Sequence, residues 1–248
     1  MKLRKGLVLI LLLLNQLAFA QEIKLDSIRK IDKNLAKINL IGFSINGQYE
    51  RILSKRISVA LSYKVLPNGK FLFRGLIPTN DPQARESLDN LTLSNSAITP
   101  EVRFYLGKKG YGQGFYLAPF FRNAKFSGKG IGIDFTLDNG QLTTFNMEGN
   151  IKANTFGLLI GAQWKLGKNF WLDWQIFGPH YGGATGSITG KSSVPLSITE
   201  RTNLENALKD INIPFGRENV SVSPTEAVLR LTGPWAGLRT AISLGFDF

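Results

Sequence analysis

The chain has 248 residues, 30 Lys and Arg against 18 Asp and Glu for a formal charge of +12, one His and no Cys. That composition excludes disulfide staples, a lipid-modified amino-terminal cysteine and a zinc site built on paired His or Cys. Beyond residue 20 no stretch is long and apolar enough for a spanning helix, so a membrane-resident chain must close on itself as a β-barrel.

Residues 1–20, MKLRKGLVLILLLLNQLAFA, carry the three parts of a secretory signal peptide: Lys2, Arg4 and Lys5, the apolar run Leu7 to Leu14, and Ala18-Phe19-Ala20 as a small-x-small cleavage site. The apolar run is about eight residues, against the roughly 20 a spanning helix needs. Residues 21–37 are charged, show no persistent period and read as a periplasmic lead-in, leaving 38–248 for one all-β domain.

The strand signal is alternation, because successive side chains point to opposite faces. INLIGF (Ile38 to Phe43) reads as a first strand turned at Asn46-Gly47, a good two-residue hairpin signal. A single strand from Ile38 to Leu53 is the competing reading. In ISVALSYKV, Ile57, Val59, Leu61, Tyr63 and Val65 oppose Ser58, Ala60, Ser62 and Lys64. PEVRFYL sets Val102, Phe104 and Leu106 against Glu101, Arg103 and Tyr105, and GFYLAPFFR sets Phe115, Leu117, Pro119 and Phe121 against Tyr116, Ala118, Phe120 and Arg122. FGLLIGAQWKL places Phe156, Leu158, Ile160, Trp164 and Leu166 opposite Gly157, Leu159, Gly161, Gln163 and Lys165. WLDWQIF and AGLRTAISLGFDF follow the same rule, with Asp173, Gln175, Arg239, Ser243 and Asp247 on the polar face.

One face is thus apolar throughout, while the other holds small residues and isolated charges. A soluble β-sandwich remains open, since alternation alone does not say which face is wet. The connections favour a barrel. LSKR (53–56), GKKGYGQG (107–114) and LGKN (166–169) are short and basic, whereas Pro67 to Ser96, Gly128 to Asn150 (tip at Asp138-Asn139-Gly140) and Gly183 to Glu226 are long. Short periplasmic turns and long outer loops are the outer-membrane habit, and strand parity then requires eight strands. SITERTNLENALKDINI in the last loop starts with the capping box Ser197-x-x-Glu200 and spaces Leu204, Leu208 and Ile211 for a short helix. Tyr105, Tyr111, Trp164, Phe170, Trp171, Trp174, Phe246 and Phe248 lie near strand ends, as interfacial girdles do.

NGQYERILSKRISVALSYKVLPNGK, AITPEVRFYLGK, GFYLAPFFR, FGLLIGAQWKLGK, LDWQIFGPHYG and GPWAGLRTAISLGFDF together resemble a family of small outer-membrane β-barrel proteins of Gram-negative bacteria, a domain of unknown function. The resemblance covers Lys37 to Phe248 and implies an eight-stranded barrel with loop extensions; it supplies no catalytic residue or substrate. The first hairpin is shorter here than the family habit.

In that barrel Glu50, Lys64, Glu101, Arg103, Arg122, Lys165, Asp173, Arg239 and Asp247 face the lumen, where mixed signs pair and plug it. The expected role is structural or surface-interactive, without catalysis, cofactor or metal. A narrow channel favouring anionic solutes is the second reading. A lipid-modifying enzyme is the third, resting on His180, read as a loop residue in GPHYGG near the hydroxyls of ATGSITG, with no visible acidic partner. Expected partners are outer-membrane lipids, lipopolysaccharide, a surface partner at the outer loops, and the outer-membrane assembly machinery, through Phe246 and Phe248. Nucleic acid is not expected, since Lys and Arg are scattered over short turns of an exported chain. GKGIGID lacks the helix of a phosphate loop, and Asp138-Asn139-Gly140 lacks the carboxylates of a calcium loop.

Overall fold

The computed structural model describes residues 34–40, 44–70, 82–209 and 216–248. They form nine strands and two helices: β1 (Asn34–Asn39), β2 (Ile45–Ile52), β3 (Ile57–Lys70), α1 (Pro82–Asn90), β4 (Thr92–Tyr105), β5 (Gly114–Thr136), β6 (Leu142–Lys165), β7 (Phe170–Ser192), α2 (Ile198–Lys209), β8 (Arg217–Val222) and β9 (Glu226–Asp247). All pairings are antiparallel. The order β1-β2-β3-β4-β5-β6-β7-β9 returns to β1, so eight strands close a ring, and β8 adds to β9 outside it. Closure runs from Leu35 opposite Asp247 to Asn39 opposite Ser243. The Phe248 N–H donates to the Asn34 carbonyl at 3.1 Å, extending the seam.

The three short turns fall at 53–56, 106–113 and 166–169, at one end of the ring. The expected first hairpin is shifted. Asn46-Gly47 lies inside β2, opposite Lys64 and Tyr63, and the chain reverses between Asn39 and Ile45. A two-residue turn signal loses to strand pairing here because Gln48, Glu50 and Ile52 continue the alternation inward. The lead-in also ends earlier than residue 37, since Asn34 to Lys37 belong to β1. The expected signal peptide, residues 21–33 and 41–43, and Ile211 of the expected helix lie outside the described residues.

Of the long connections, 128–150 is largely strand, and the other two carry strand extensions together with α1, α2 and β8. β5, β6 and β7 run for 23, 24 and 23 residues, β4 starts at Thr92, and the turn at Asp138-Asn139-Gly140 joins β5 to β6. They carry ladder hydrogen bonds, but their apolar alternation is confined to short runs such as Ile131-Ile133-Phe135 and Phe145-Met147, set among Gly and polar residues, so periodicity reads them as loop. On β6 the outward residues Phe156, Leu158 and Ile160 give way to Asn154, Lys152, Asn150 and Glu148. The change occurs in register on β5, β6, β7 and β9, whereas on β4 and β3 the row of Asn123 continues through the exposed Ile98 and Tyr63. Phe121, Phe156, Tyr181 and Ala236 stand in one cross-strand row, and Asn123, Asn154, Gly183 and Pro234 stand in the outward row above it. Phe121 and Phe156 pack with ring centroids 5.0 Å apart, while the Asn123 amide donates to Asn154 at 2.7 Å. Below the boundary the outer face is apolar and exposed: Leu61, Val102, Phe115, Leu158, Ile160, Leu238 and Phe246 are each at least 36% accessible.

Above it, the strand extensions form a second core. Leu137, Phe145, Leu196 and Ala227 are buried together, and Met147, Val194, Leu204, Leu208 and Val222 pack on them. α2 begins one residue after its cap Ser197, whose Oγ accepts the Glu200 N–H at 3.2 Å while the Glu200 carboxylate accepts the Ser197 N–H at 2.7 Å. That is the expected capping box. The same carboxylate accepts the Asp138 N–H at 2.6 Å, tying α2 to the β5–β6 turn.

The backbone N–H groups of Asp138 and Ser197 hold the Glu200 carboxyl below its ordinary value of 4.5. A depressed native value means that the contact contributes fully at neutral pH and is lost as pH falls through the native value. Hydrogen exchange at the Asp138 amide is therefore predicted to accelerate, relative to the ring strands, as acid protonates Glu200, and Glu200→Gln should show the faster exchange already at pH 7.

Candidate functional site

The interior of an eight-stranded ring is just wide enough for side chains. Its alternate positions fall inward at Glu50, Glu101, Arg103, Asp173 and Arg239, all nearly or wholly buried. They meet. Arg103 sits between three carboxylates: its Nη2 is 2.6 Å from Glu101 Oε1, and its Nη1 is 2.8 Å from Asp173 Oδ2 and 3.2 Å from Glu50 Oε2. Arg239 Nη1 reaches the other Glu101 oxygen at 2.9 Å. Lys37, which the sequence reading leaves in the lead-in, enters from β1 and bonds Glu50, Gln163 and, at 2.8 Å, Asp173. Three cations thus face three carboxylates.

Neutral groups complete the shell. Tyr105 Oη donates to Glu50 at 2.7 Å, Tyr116 Oη to Asp173 at 2.8 Å, and Gln48 Nε2 to Glu101 at 3.1 Å; Ser58 also donates to Glu50. The Arg103 guanidinium lies 4.4 Å from the centroid of the Tyr116 ring, and that of Arg239 lies 4.5 Å from Phe120. Tyr116 fits because Gly161 faces it: a Cβ there would come within 2.3 Å of the ring. Each carboxylate therefore accepts from several donors, the condition under which buried charges are tolerated.

The other expected interior charges separate from this cluster. Lys165 and Asp247 form an ion pair of their own at the short-turn end, beside Trp171. Trp171 is fully buried and Tyr105 nearly so, which corrects their placement in an interfacial girdle: each lies at an inward strand position and packs in the interior. Phe246 and Phe248 are exposed.

Lys64 and Arg122 line a cavity of about 320 Å³ above the cluster, which Arg239 reaches from below. Arg122 Nη1 donates to Thr99 Oγ1 at 3.2 Å. His180 is not a loop residue; it lies within β7, lines the same cavity, and its ring meets Phe120 edge-on at 6.0 Å. Gly237 opposite it admits the imidazole, since a Cβ there would lie 2.6 Å from the ring. His180 Nδ1 and Asn46 Oδ1 are buried without a hydrogen-bond partner among the described residues. No group of three or more His, Asp or Glu with metal-binding geometry occurs among the described residues. Comparison of the chain with protein-family models and with curated proteins finds no match.

Lys37, Gln48 and Gln163 carry no signal of their own in the sequence. Their roles depend on cross-strand register, which places Gln48 opposite both Lys37 and Ser62. Removing Arg103 alone leaves three buried carboxylates facing two cations. Arg103→Met is predicted to destabilise the folded chain by about 3–5 kcal/mol, as breaking a buried ion network does, read as the shift in urea unfolding.

Proposed function

We propose that this chain is a small outer-membrane β-barrel protein, exported after cleavage of residues 1–20, with a structural or surface-interaction role and no catalysis. The observation that carries this reading is the outer face. An apolar, exposed zone covers a charged interior; on β5, β6, β7 and β9 it stops in register between the Phe121-Phe156-Tyr181-Ala236 row and the Asn123-Asn154-Gly183-Pro234 row, and on β3 and β4 it runs on to Tyr63 and Ile98. Water would penalise such an exterior, and lipid would solvate it. A bilayer is crossed in about 9–11 strand residues, so roughly half of β5, β6 and β7, at 23 to 24 residues each, would stand clear of it.

In this setting the short turns face the periplasm, where Lys55, Arg56, Lys108, Lys109 and Lys168 would meet anionic lipid headgroups. The strand extensions, with α2 and β8, form the outer working surface for a partner. Phe246 and Phe248 would be read by the outer-membrane assembly machinery. Membership of the outer-membrane family that the sequence resembles belongs to the same proposal. The charge cluster argues against an open channel, because Arg103 and its partners occupy the width that eight strands leave. It also argues against catalysis there: Glu50, Glu101 and Asp173 are saturated by donors, so none is poised as a general base.

Two substitutions on one face of β6 test the reading. Leu158→Arg, within the apolar zone, is predicted to cost about 2–4 kcal/mol of folding free energy in lipid vesicles. Asn154→Arg, four residues along the same face, should stay within about 0.5 kcal/mol. Equal small effects at both positions would place the zone in water.

A further inference from the structure

The cavity above the charge cluster has a composition that the ring itself does not require. One cross-strand row runs Asn46, Lys64, Ala97, Ala124, Ala153, Ala184, Gly233. Ala124 and Ala153 of this row line the cavity and leave space there, and Lys64 is the one long side chain that projects from the row. Arg122 enters from the next inward position on β5, and Arg239 from β9. Among the described residues no Asp or Glu lines the cavity. Arg239 is held by Glu101 below, but Lys64 and Arg122 have no carboxylate partner among the described residues. Two unbalanced cations in an interior that elsewhere matches its charges one for one would repel each other and Arg239. An oxyanion between them removes that repulsion.

Two further groups point to a ligand larger than a bare ion. His180 Nδ1 and Asn46 Oδ1 are buried, unpartnered among the described residues, and on the lining of this same cavity. Buried polar atoms ordinarily find a partner. Trp235 contributes an aromatic wall. One flank of the cavity is formed by β9. β1 pairs with β9 only over residues 243–247 and β8 only over 227–232, so the β9 edge between Gly233 and Ala241 has no strand partner on that side among the described residues.

We propose that this cavity is a binding site for a small phosphate monoester, its oxyanion held by Lys64 and Arg122, with Arg239 behind them, and its neighbouring hydroxyl or ester groups by His180 and Asn46. Glycerol phosphate headgroups and free sugar or polyol phosphates share this chemistry. The β9 edge from Gly233 to Ala241, which has no strand partner among the described residues and is bordered on its outer face by Leu238, would let an attached acyl chain leave sideways. The site is read from the interior alone and stands apart from the membrane assignment.

The test uses the full chain refolded in a nonionic detergent, with isothermal titration calorimetry against glycerol 3-phosphate and against a single-chain lysophosphatidic acid. Saturable binding of at least one probe is expected. It should weaken tenfold or more in Lys64→Gln and in Arg122→Gln, and stay unchanged in Lys168→Gln, which removes the same charge from a short turn. Binding of both probes marks a free solute as the natural class, and binding of the acylated probe alone marks a lipid headgroup. Should a cavity variant fail to refold, competition on the unmutated chain decides: inorganic phosphate should displace the probe. No saturable binding of either probe, equal loss in Lys168→Gln, or indifference to phosphate would overturn the proposal.

Discussion

The rest of the structure depends on where its charges are allowed to go. Most strands of the ring have an apolar outer side in their lower half, Arg51 and Asn34 near the short-turn end being the outward polar exceptions, so most charged residues there turn inward and are neutralised inside. Arg103, between Glu50, Glu101 and Asp173, is the centre of that arrangement. Through it and Lys37 the cluster joins β1, β2, β4 and β7, with Gln163 on β6 and Arg239 on β9 attached. Strands far apart in sequence are thereby held to one register. A slip of one residue on any of them would put a charge on the apolar exterior and leave its partner uncompensated.

Around that centre the ring divides into levels. At the short-turn end, Lys165 pairs with Asp247 beside the buried Trp171. The cluster fills the middle. Above it Ala124, Ala153 and Gly237 leave a cavity in which Lys64 and Arg122 have no matching carboxylate among the described residues, a local exception to the balance below. Higher still, the outer face turns polar and a conventional apolar core forms between Leu137, Phe145, Leu196 and α2. The chain is thus inside-out near its turns and ordinary at its far end. That reversal along single strands is what a wall passing from lipid into water would show.

What the sequence makes legible follows from the same physics. Alternation exposes the lower strands, the positions of the three short turns and the inward set from Glu50 to Asp247, because apolar and polar residues there alternate strictly. Closure of β9 onto the first strand was also readable from parity. Where alternation fades, the reading fails: the upper halves of β5, β6 and β7 look like loops, because their outward residues are polar or glycine and their partners are other polar strands. Lys37 was hidden for another reason. β1 has only six residues, in a stretch crowded with charges, and its inward face holds Leu35 beside Lys37, so no clean period emerges. Asn46-Gly47 misled because local turn chemistry was outweighed by pairing with β3. Partner choice inside the ring, such as Tyr116 on Asp173 across Gly161, depends on register and on space, neither of which one strand's sequence encodes.

The most direct test of the central claim exploits the absence of cysteine. Single cysteines placed in turn from residue 152 to 163 on β6, spin-labelled and studied in lipid vesicles, report which medium each side chain meets. The account predicts high oxygen accessibility at 156, 158 and 160, low accessibility to both oxygen and water-soluble reagents at 159 and 163, and a shift to water-soluble reagents at 152 and 154. Access of water-soluble reagents to 156, 158 and 160, equal to that at 152, would contradict it.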